Sequence, residues 1–434
     1  MPVAIVSALD QAGTGPFQRR LLGIFGLVWA ADAMQVLAVG FTAPSIAASF
    51  GLTVPEALQT GTLFFLGMMI GAALFGRIAD RIGRRRVLLV TVACDGLFGL
   101  ASVFAPNFAL LLVARFLTGV AVGGTLPVDY AMMAEFLPSD RRGRWLVMLE
   151  AFWAIGTVVV ALAAWAAASA GLADAWRAIL LVTAIPALIG FWLRLMVPES
   201  PLYLLSKGRG DEARAVIDRV LMANGKTPLS EPLVAGEAPR TVRLLSPALR
   251  KRTLLMLAVW FLVSLSYYGI FTWMPARLAG EGFGFVRGYG FLVVVALAQL
   301  PGYALAAWGV ERIGRRPTLI GFLLLSAAGC VLFVIAGNAS LVATAILLMS
   351  FALLGTWGAL YAYTPELYPT AARASGMGAA GAMARLGGLL APSLLSLLIA
   401  RSFGAAVALF AVLLIFAAIA ASQIDAETRQ RALD

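Results

Sequence analysis

Long apolar runs alternate with short charged loops along the whole chain. Twelve such runs can be traced, each near the ~20 residues that cross a bilayer as helix. In the first half they cover about 21–47, 58–79, 87–105, 108–137, 145–170 and 177–197. In the second half they cover about 253–279, 286–310, 317–336, 340–366, 374–400 and 403–422. This pattern predicts an all-α membrane protein of twelve transmembrane helices in two six-helix bundles. The bundles are residues 1–197 and 253–434, with a linker over 198–252. The linker opens on Pro198-Glu199-Ser200-Pro201 and carries an amphipathic stretch, Asp211 to Asn224, with Ala213, Val216, Ile217 and Val220 on one face. Pro228, Pro232, Pro239 and Pro247 keep the rest irregular.

The two halves repeat one another. Asp80-Arg81-Ile82-Gly83-Arg84-Arg85 returns as Glu311-Arg312-Ile313-Gly314-Arg315-Arg316. Glu135-Phe136-Leu137-Pro138 returns as Glu366-Leu367-Tyr368-Pro369. Both pairs share an offset of 231 residues (311 less 80, 366 less 135). Two unrelated motifs at one offset imply a duplicated unit. Parallel repeats of this kind place a substrate site between the halves near the membrane midplane.

Composition narrows the picture. Of 434 residues, 61% are hydrophobic and only 13% charged, which excludes an ordinary soluble domain. The formal net charge of +11 does not indicate nucleic-acid binding, because the arginines lie in short loops between apolar runs. Arg81, Arg84, Arg85, Arg86, Arg141, Arg142, Arg144, Arg312, Arg315, Arg316 and Arg373 all fall on one side. That asymmetry predicts a multi-pass plasma-membrane protein with both termini in the cytoplasm. The first sixteen residues lack a secretory signal. Cys94 and Cys330 each sit inside an apolar run, so no disulfide is expected. There is no histidine, so any proton pathway has to use carboxylates. No nucleotide loop, metal cluster or nucleophile–base pair suggests an enzyme.

Several motifs carry a resemblance. Gly76-x-x-x-Asp80-Arg81-x-Gly83-Arg84-Arg85-Arg86 resembles the signature loop of the major facilitator superfamily. Arg115-x-x-x-Gly119-x-x-x-Gly123 resembles its fourth-helix motif, and Pro198 to Leu205 resembles the sugar-porter signature. Finer stretches look like the branch of bacterial niacin permeases and synaptic vesicle glycoprotein-like proteins. These are Gly123 to Tyr130, Phe152-Trp153, Tyr267-Tyr268-Gly269, Pro301-Gly302-Tyr303, Tyr363 to Pro369 and Arg385 to Pro392. One departure is that Asp32 is followed by Gln35 where that branch often has a second acid. The resemblance implies the major facilitator fold and alternating access.

Asp32 lies about 16 Å into the first helix, near mid-membrane, where a lone carboxylate is costly and usually functional. By resemblance to sugar porters, Asp32 and Arg115 form a proton-coupling pair. A static tie between helices 1 and 4 is the competing reading. Arg385 has no neutralising neighbour in sequence. A guanidinium facing a cavity would bind a carboxylate bidentately, whereas a backbone clamp is the plainer alternative. With Gln35, Trp153, Tyr267, Tyr268, Gln299 and Tyr303, Arg385 makes up the expected substrate site. Amides are few and aromatics many, which suits a planar organic acid better than a hexose. Trp273 is expected in the interfacial belt, and Asp95 is given no role.

Asp80, Arg84, Asp129, Glu135, Arg141 and Glu150, with Glu199, Glu311, Arg315, Glu366 and Arg373, are expected to form gating charge pairs at the cytoplasmic end. Plain interfacial anchoring is the alternative. The glycine ladder ending in Gly-Pro that marks antiporters of the superfamily is missing, since Gly156 stands alone. The expected activity is therefore proton-coupled import, by a monomer, of a small organic anion such as nicotinate or another aromatic carboxylate. It needs no cofactor beyond the proton gradient. A sugar–proton symporter is the runner-up, and a non-transporting sensor or binding protein on the same scaffold is the reading from another class.

Overall fold

A computed structural model describes residues 3–138, 142–230, 233–234, 243–281, 288–394 and 402–428. The first half comprises α1 (Ile5–Ala12), α2 (Pro16–Phe50), α3 (Val54–Ala57), α4 (Gln59–Ile82), α5 (Arg84–Val103) and α6 (Phe108–Ala134). It continues with α7 (Arg142–Glu150), α8 (Phe152–Ser169) and α9 (Ala175–Arg194), followed by the linker helices α10 (Pro201–Ser206) and α11 (Gly210–Ala223). The second half comprises α12 (Arg250–Glu281), α13 (Tyr289–Leu297), α14 (Gln299–Arg312), α15 (Arg315–Ile335), α16 (Ala339–Glu366), α17 (Thr370–Leu394) and α18 (Phe403–Ser422). Eleven stretches among the described residues are helical, long and apolar enough to cross a membrane. The remaining predicted run, 374–400, corresponds to α17, a Gly- and Ala-rich helix that packs against α12 and α4.

Local signals explain the ends of these helices. Asn107 and Asn338 cap α6 and α16 by accepting from the amides of Leu110 and Leu341, 2.9 Å each. They are again 231 apart (338 less 107). Pro16 starts α2 at its first position, and Gly51 ends it with φ 66°. The linker helix begins one residue before the expected Asp211 and ends at Ala223. Asn224 follows it and ties linker to N-terminus: its amide donates to the Ala12 carbonyl (3.1 Å) and to Gln18 Oε1 (2.8 Å). A two-residue parallel pairing of Val3–Ala4 with Leu233–Val234 completes that contact. No periodicity foretold it.

Packing within the first half uses small residues. A Cβ on Gly67 or Gly71 would strike the α6 backbone at Phe116 and Val120. A Cβ on Gly119 or Gly123 would strike α4 at Phe64 and Met68. The four glycines thus let α4 and α6 approach at backbone distance. The two halves meet through α2 with α12, α4 with α17, and α8 with α13.

Two predicted spans are interrupted. The 145–170 run breaks at Ala151 between α7 and α8, and the 286–310 run breaks at Ala298 between α13 and α14. The second break has a cause in Pro301, which has no N–H to donate to the Leu297 carbonyl. The breaks place Glu150 at the last position of α7 and Gln299 at the first of α14. Trp273 differs from expectation: it is 2% exposed and packs inside the protein, not in a lipid-facing belt.

Candidate substrate cavity and charge sites

A cavity with an empty volume of about 510 Å³ lies between the halves. The first half contributes Trp29, Phe65, Met68, Leu126, Glu150 and Trp153, and the second contributes Tyr267, Tyr268, Tyr303, Leu354, Trp357, Tyr361, Ala384 and Arg385. Five expected substrate residues therefore meet here: Trp153, Tyr267, Tyr268, Tyr303 and Arg385. The rings pack on one another. Trp153 Nε1 donates to the Tyr267 hydroxyl at 3.0 Å. Tyr267 and Tyr268 are edge to face at 5.1 Å, and Phe65 reaches Tyr268 across the halves at 4.7 Å. Trp357 and Tyr361, one turn apart on α16, stack at 5.9 Å, and Tyr130 of α6 meets Tyr361 at 5.9 Å.

Arg385 donates through Nη1 to the Gly381 carbonyl at 2.9 Å, which fixes the guanidinium to its own helix. Among the described residues its Nε has no partner, nor does Nε1 of Trp357, while the Trp29 indole N–H faces the Glu150 carboxyl. The cavity thus holds unsatisfied donors and a cation. Glu150 corrects an expectation. It is 3% exposed, lines the cavity, and lies within electrostatic reach of Arg385. It sits on the cavity wall, not among the loop arginines.

Neither expected glutamine lies in this cavity. Gln35 is fully buried and holds Arg115, whose Nη1 donates to Gln35 Oε1 (2.6 Å) and Nη2 to the Gln35 carbonyl (2.7 Å). The same guanidinium sits 4.6 Å from the Phe64 ring centroid. Arg115 therefore reaches helix α2 one turn from Asp32, not at Asp32 itself. Among the described residues both Asp32 oxygens lack a hydrogen-bond partner, and Asp95 on α5 lies against the Gln35 amide.

Asp129 also departs from expectation. It is fully buried and ion-paired with Arg194, the last residue of α9, whose guanidinium lies 4.5 Å over the Phe25 ring. It is not a partner of the loop arginines. Arg194 was missed because, at the end of an apolar run, it reads as an interfacial anchor.

Two matching charge locks lie at the basic end. Arg84 pairs with Glu135 at 2.9 Å, and Arg315 pairs with Glu366 at 2.9 Å. Ser200 donates to Glu135, and Thr428 donates to Glu366 at 2.5 Å. Glu199 accepts the amides of Arg84 and Arg85 (3.1 Å each), so a carboxylate sits on the positive end of α5. Glu427 does the same for Arg315 (3.0 Å) and Arg316 (3.1 Å) at α15. Gly83 and Gly314 precede these helix starts with φ 107° and 127°, a backbone that a side chain would strain. Burial pushes the Glu135 carboxyl up from the ordinary glutamate value, against the opposing pull of Arg84 and Ser200. Glu311, the counterpart of Asp80, is exposed, and Glu427 does at α15 what Glu199 does at α5. The side chains of Asp80 and Arg373, and Arg141 altogether, lie outside the described residues.

Comparison with known proteins agrees with this architecture. Residues 56–434 match the family described as Sugar (and other) transporter. The putative niacin/nicotinamide transporter NiaP of Bacillus subtilis is 35% identical over 96% of this chain and 98% of its own length. The niacin transporter NiaP of Acinetobacter baylyi is 37% identical over 89% of each. Among solved structures, a partially occluded inward-open form of the xylose transporter XylE from E. coli superposes with TM-score 0.77. It is 18% identical and covers 96% of this chain and 99% of its own. The fold and the family are those of transporters, not enzymes, and the chain belongs to the sugar (and other) transporter family of the major facilitator superfamily.

Proposed function

We propose that this transporter imports a small aromatic carboxylate, of the nicotinate type, together with a proton. The observation that carries the reading is the cavity itself. Arg385 is its cation, the Trp357 indole N–H on the wall is unsatisfied, and aromatic rings supply flat walls. A carboxylate takes the guanidinium and indole donors, and a planar ring stacks on Tyr267, Tyr268 and Trp357. Glu150 adds a second polar contact opposite Arg385, suited to a ring nitrogen. A hexose is disfavoured because the cavity offers no amide: Gln35 is engaged by Arg115, and Gln299 lies elsewhere. The names of the NiaP relatives point to the same substrate class.

Asp32 is the proposed proton carrier. It is fully buried on α2, one turn from Trp29 of the cavity wall, so an anion in the cavity changes the charge around it and links substrate to proton occupancy. The basic end is assigned to the cytoplasm of a bacterial inner membrane, and the two locks close it while the substrate is held. The test uses proteoliposomes. A pH gradient, acid outside, should drive accumulation of labelled nicotinate. Asp32→Asn should abolish accumulation above the external concentration and keep counterflow, which needs no net proton movement. An Asp32→Asn protein that still concentrates nicotinate would transfer the coupling role to Asp95.

A further inference from the structure

The offset of 231 residues also pairs four aromatic rings. Trp29 on α2 answers to Trp260 on α12, and Tyr130 on α6 answers to Tyr361 on α16 (260 less 29, 361 less 130). Within each half the two rings touch: Trp29 lies 6.2 Å from Tyr130, and Trp260 lies 4.9 Å from Tyr361. The two tyrosines then meet at 5.9 Å, so the row runs Trp29, Tyr130, Tyr361, Trp260 from one half into the other. Counterparts in a duplicated chain can touch only where the axis relating the halves passes between them. The Tyr130–Tyr361 contact therefore lies on that axis, in line with a site held between the halves.

Helix registers give its height. Trp29 and Tyr361 line the main cavity, and Tyr130 is one turn beyond the cavity residue Leu126, toward the basic end. Trp260 precedes the cavity residue Tyr267 on α12 and lies about 10 Å nearer that end. The lock residues Glu135 and Glu366 follow the tyrosines by about 7.5 Å. The row is thus a floor between cavity and locks. Its two leaves are held unequally. Trp260 Nε1 donates to Thr364 Oγ1 at 2.9 Å, and the Trp260 ring leans on Trp357 at 5.4 Å. In the first half Leu126 takes the place of Trp357 (357 less 126), and the Trp29 indole N–H faces Glu150 on the cavity wall. The second-half leaf is braced within α12 and α16, whereas the first-half leaf is positioned from the cavity.

We propose that these four rings are a gate on the transport path, which closes where Tyr130 meets Tyr361, and that its moving leaf is Trp29 with Tyr130, positioned by Glu150. The gate acts in series with the charge locks: the rings seal the cavity floor, and the locks hold the helix ends together. Opening parts one ring contact between the halves while each Trp–Tyr pair stays whole. The proposal rests on the transporter family alone, and not on the choice of substrate or of coupling ion.

Labelling of one cavity cysteine tests it. Ala384→Cys on the cavity wall, in full-length protein with Cys94 and Cys330 replaced by Ser, meets a membrane-impermeant maleimide in sealed vesicles of both orientations. Lys207→Cys, at an exposed position of the linker and measured separately, reports which vesicles present the basic end. Tyr130→Ala with Tyr361→Ala should speed labelling from the basic end about tenfold, the factor that a lost ring pair corresponds to. Labelling from the other end should not change. Tyr130→Phe keeps the ring and should stay within about twofold of the parent. Glu150→Leu should speed labelling from the basic end, and Thr364→Val should do so less, because Trp357 still braces Trp260. Unchanged labelling in the double tyrosine variant would overturn the gate, since the locks alone would then seal the cavity. So would an equal gain from both ends, which would report loosened packing. Equal gains in Glu150→Leu and Thr364→Val would overturn the moving leaf. No substrate enters the assay, so failure of the nicotinate reading would leave the gate standing.

Discussion

The two halves share a scaffold and differ in what they bury. Their basic ends are near copies: glycine, paired arginine, capping carboxylate, hydroxyl and lock glutamate recur in the same contacts. Their interiors are unlike. The first half buries Asp32, Asp95, Asp129, Glu150, Arg115 and Arg194. Among the described residues, the interior of the second half carries Arg385 as its charged group, with aromatics and the amide of Gln299. Duplication thus preserved the part that must open and close alike on both sides. It released the interior to specialise, charge handling in one half and ligand reading in the other.

The sharpest way to break that division is to remove one buried arginine from each half. Arg194→Ala leaves Asp129 buried and unpaired, which should cost about 3–5 kcal/mol of stability. Asp129→Leu with Arg194→Met should recover most of it, because a buried pair replaced by apolar groups is often neutral. Arg385→Ala should change stability little, since its anchoring bond is to its own helix. It should weaken nicotinate binding by about ten- to a hundredfold, the loss of a charged hydrogen-bonded contact. Arg385→Lys should fall between, because it keeps the charge and loses the planar fork. Thermal unfolding and equilibrium binding on the same preparations decide the matter. If Arg385→Ala unfolds the protein and Arg194→Ala does not, the roles of the halves are reversed.

The capping carboxylates test the shared part of the comparison. Glu199→Gln and Glu427→Gln each remove a charge from a helix N-terminus and should each cost about 1 kcal/mol. Measured by thermal unfolding, the two losses should agree. A loss confined to Glu199→Gln would mean that the residues after α18 are not a working copy of the linker lock.

What the sequence could reveal follows from the range of each interaction. Spans, halves and the linker helix depend on local periodicity, and the repeat offset was visible because Asp80, Glu135 and their counterparts kept register. The Arg84–Glu135 and Arg315–Glu366 pairs follow from it. Glu427 escaped because its distance from Glu199 is 228 (427 less 199), three short of the repeat, so the deletion hid the equivalence. The interior misreadings are of another kind. Glu150 and Gln299 depend on helix breaks, and the partners of Asp129 and Arg115 on which faces of α2, α5 and α9 converge. Trp29 is one turn before Asp32, and Trp357 and Tyr361 are spaced i, i+4. Those spacings could have placed all three on a cavity face.

The finest distinction concerns the locks themselves. Glu135 is the better-enclosed acid of the first lock, and burial outweighs the pull of Arg84 and Ser200, so its carboxyl titrates above the ordinary glutamate range. The sign follows from linkage. A group whose value is raised in the folded state binds a proton more readily folded than unfolded. Its contribution is present below the ordinary glutamate value and is lost as pH rises through the raised one. Glu135→Gln cannot ionise, so it should escape that loss. Relative to wild type, its melting temperature should rise with pH across that window and then level off. The effect should be worth about 1 kcal/mol at most for a partly enclosed pair. Glu366→Gln, measured beside it, shows whether the second lock behaves alike. Parallel wild-type and Glu135→Gln curves across the whole pH range would mean that ionising Glu135 costs the fold nothing, and that the two locks differ in sequence only.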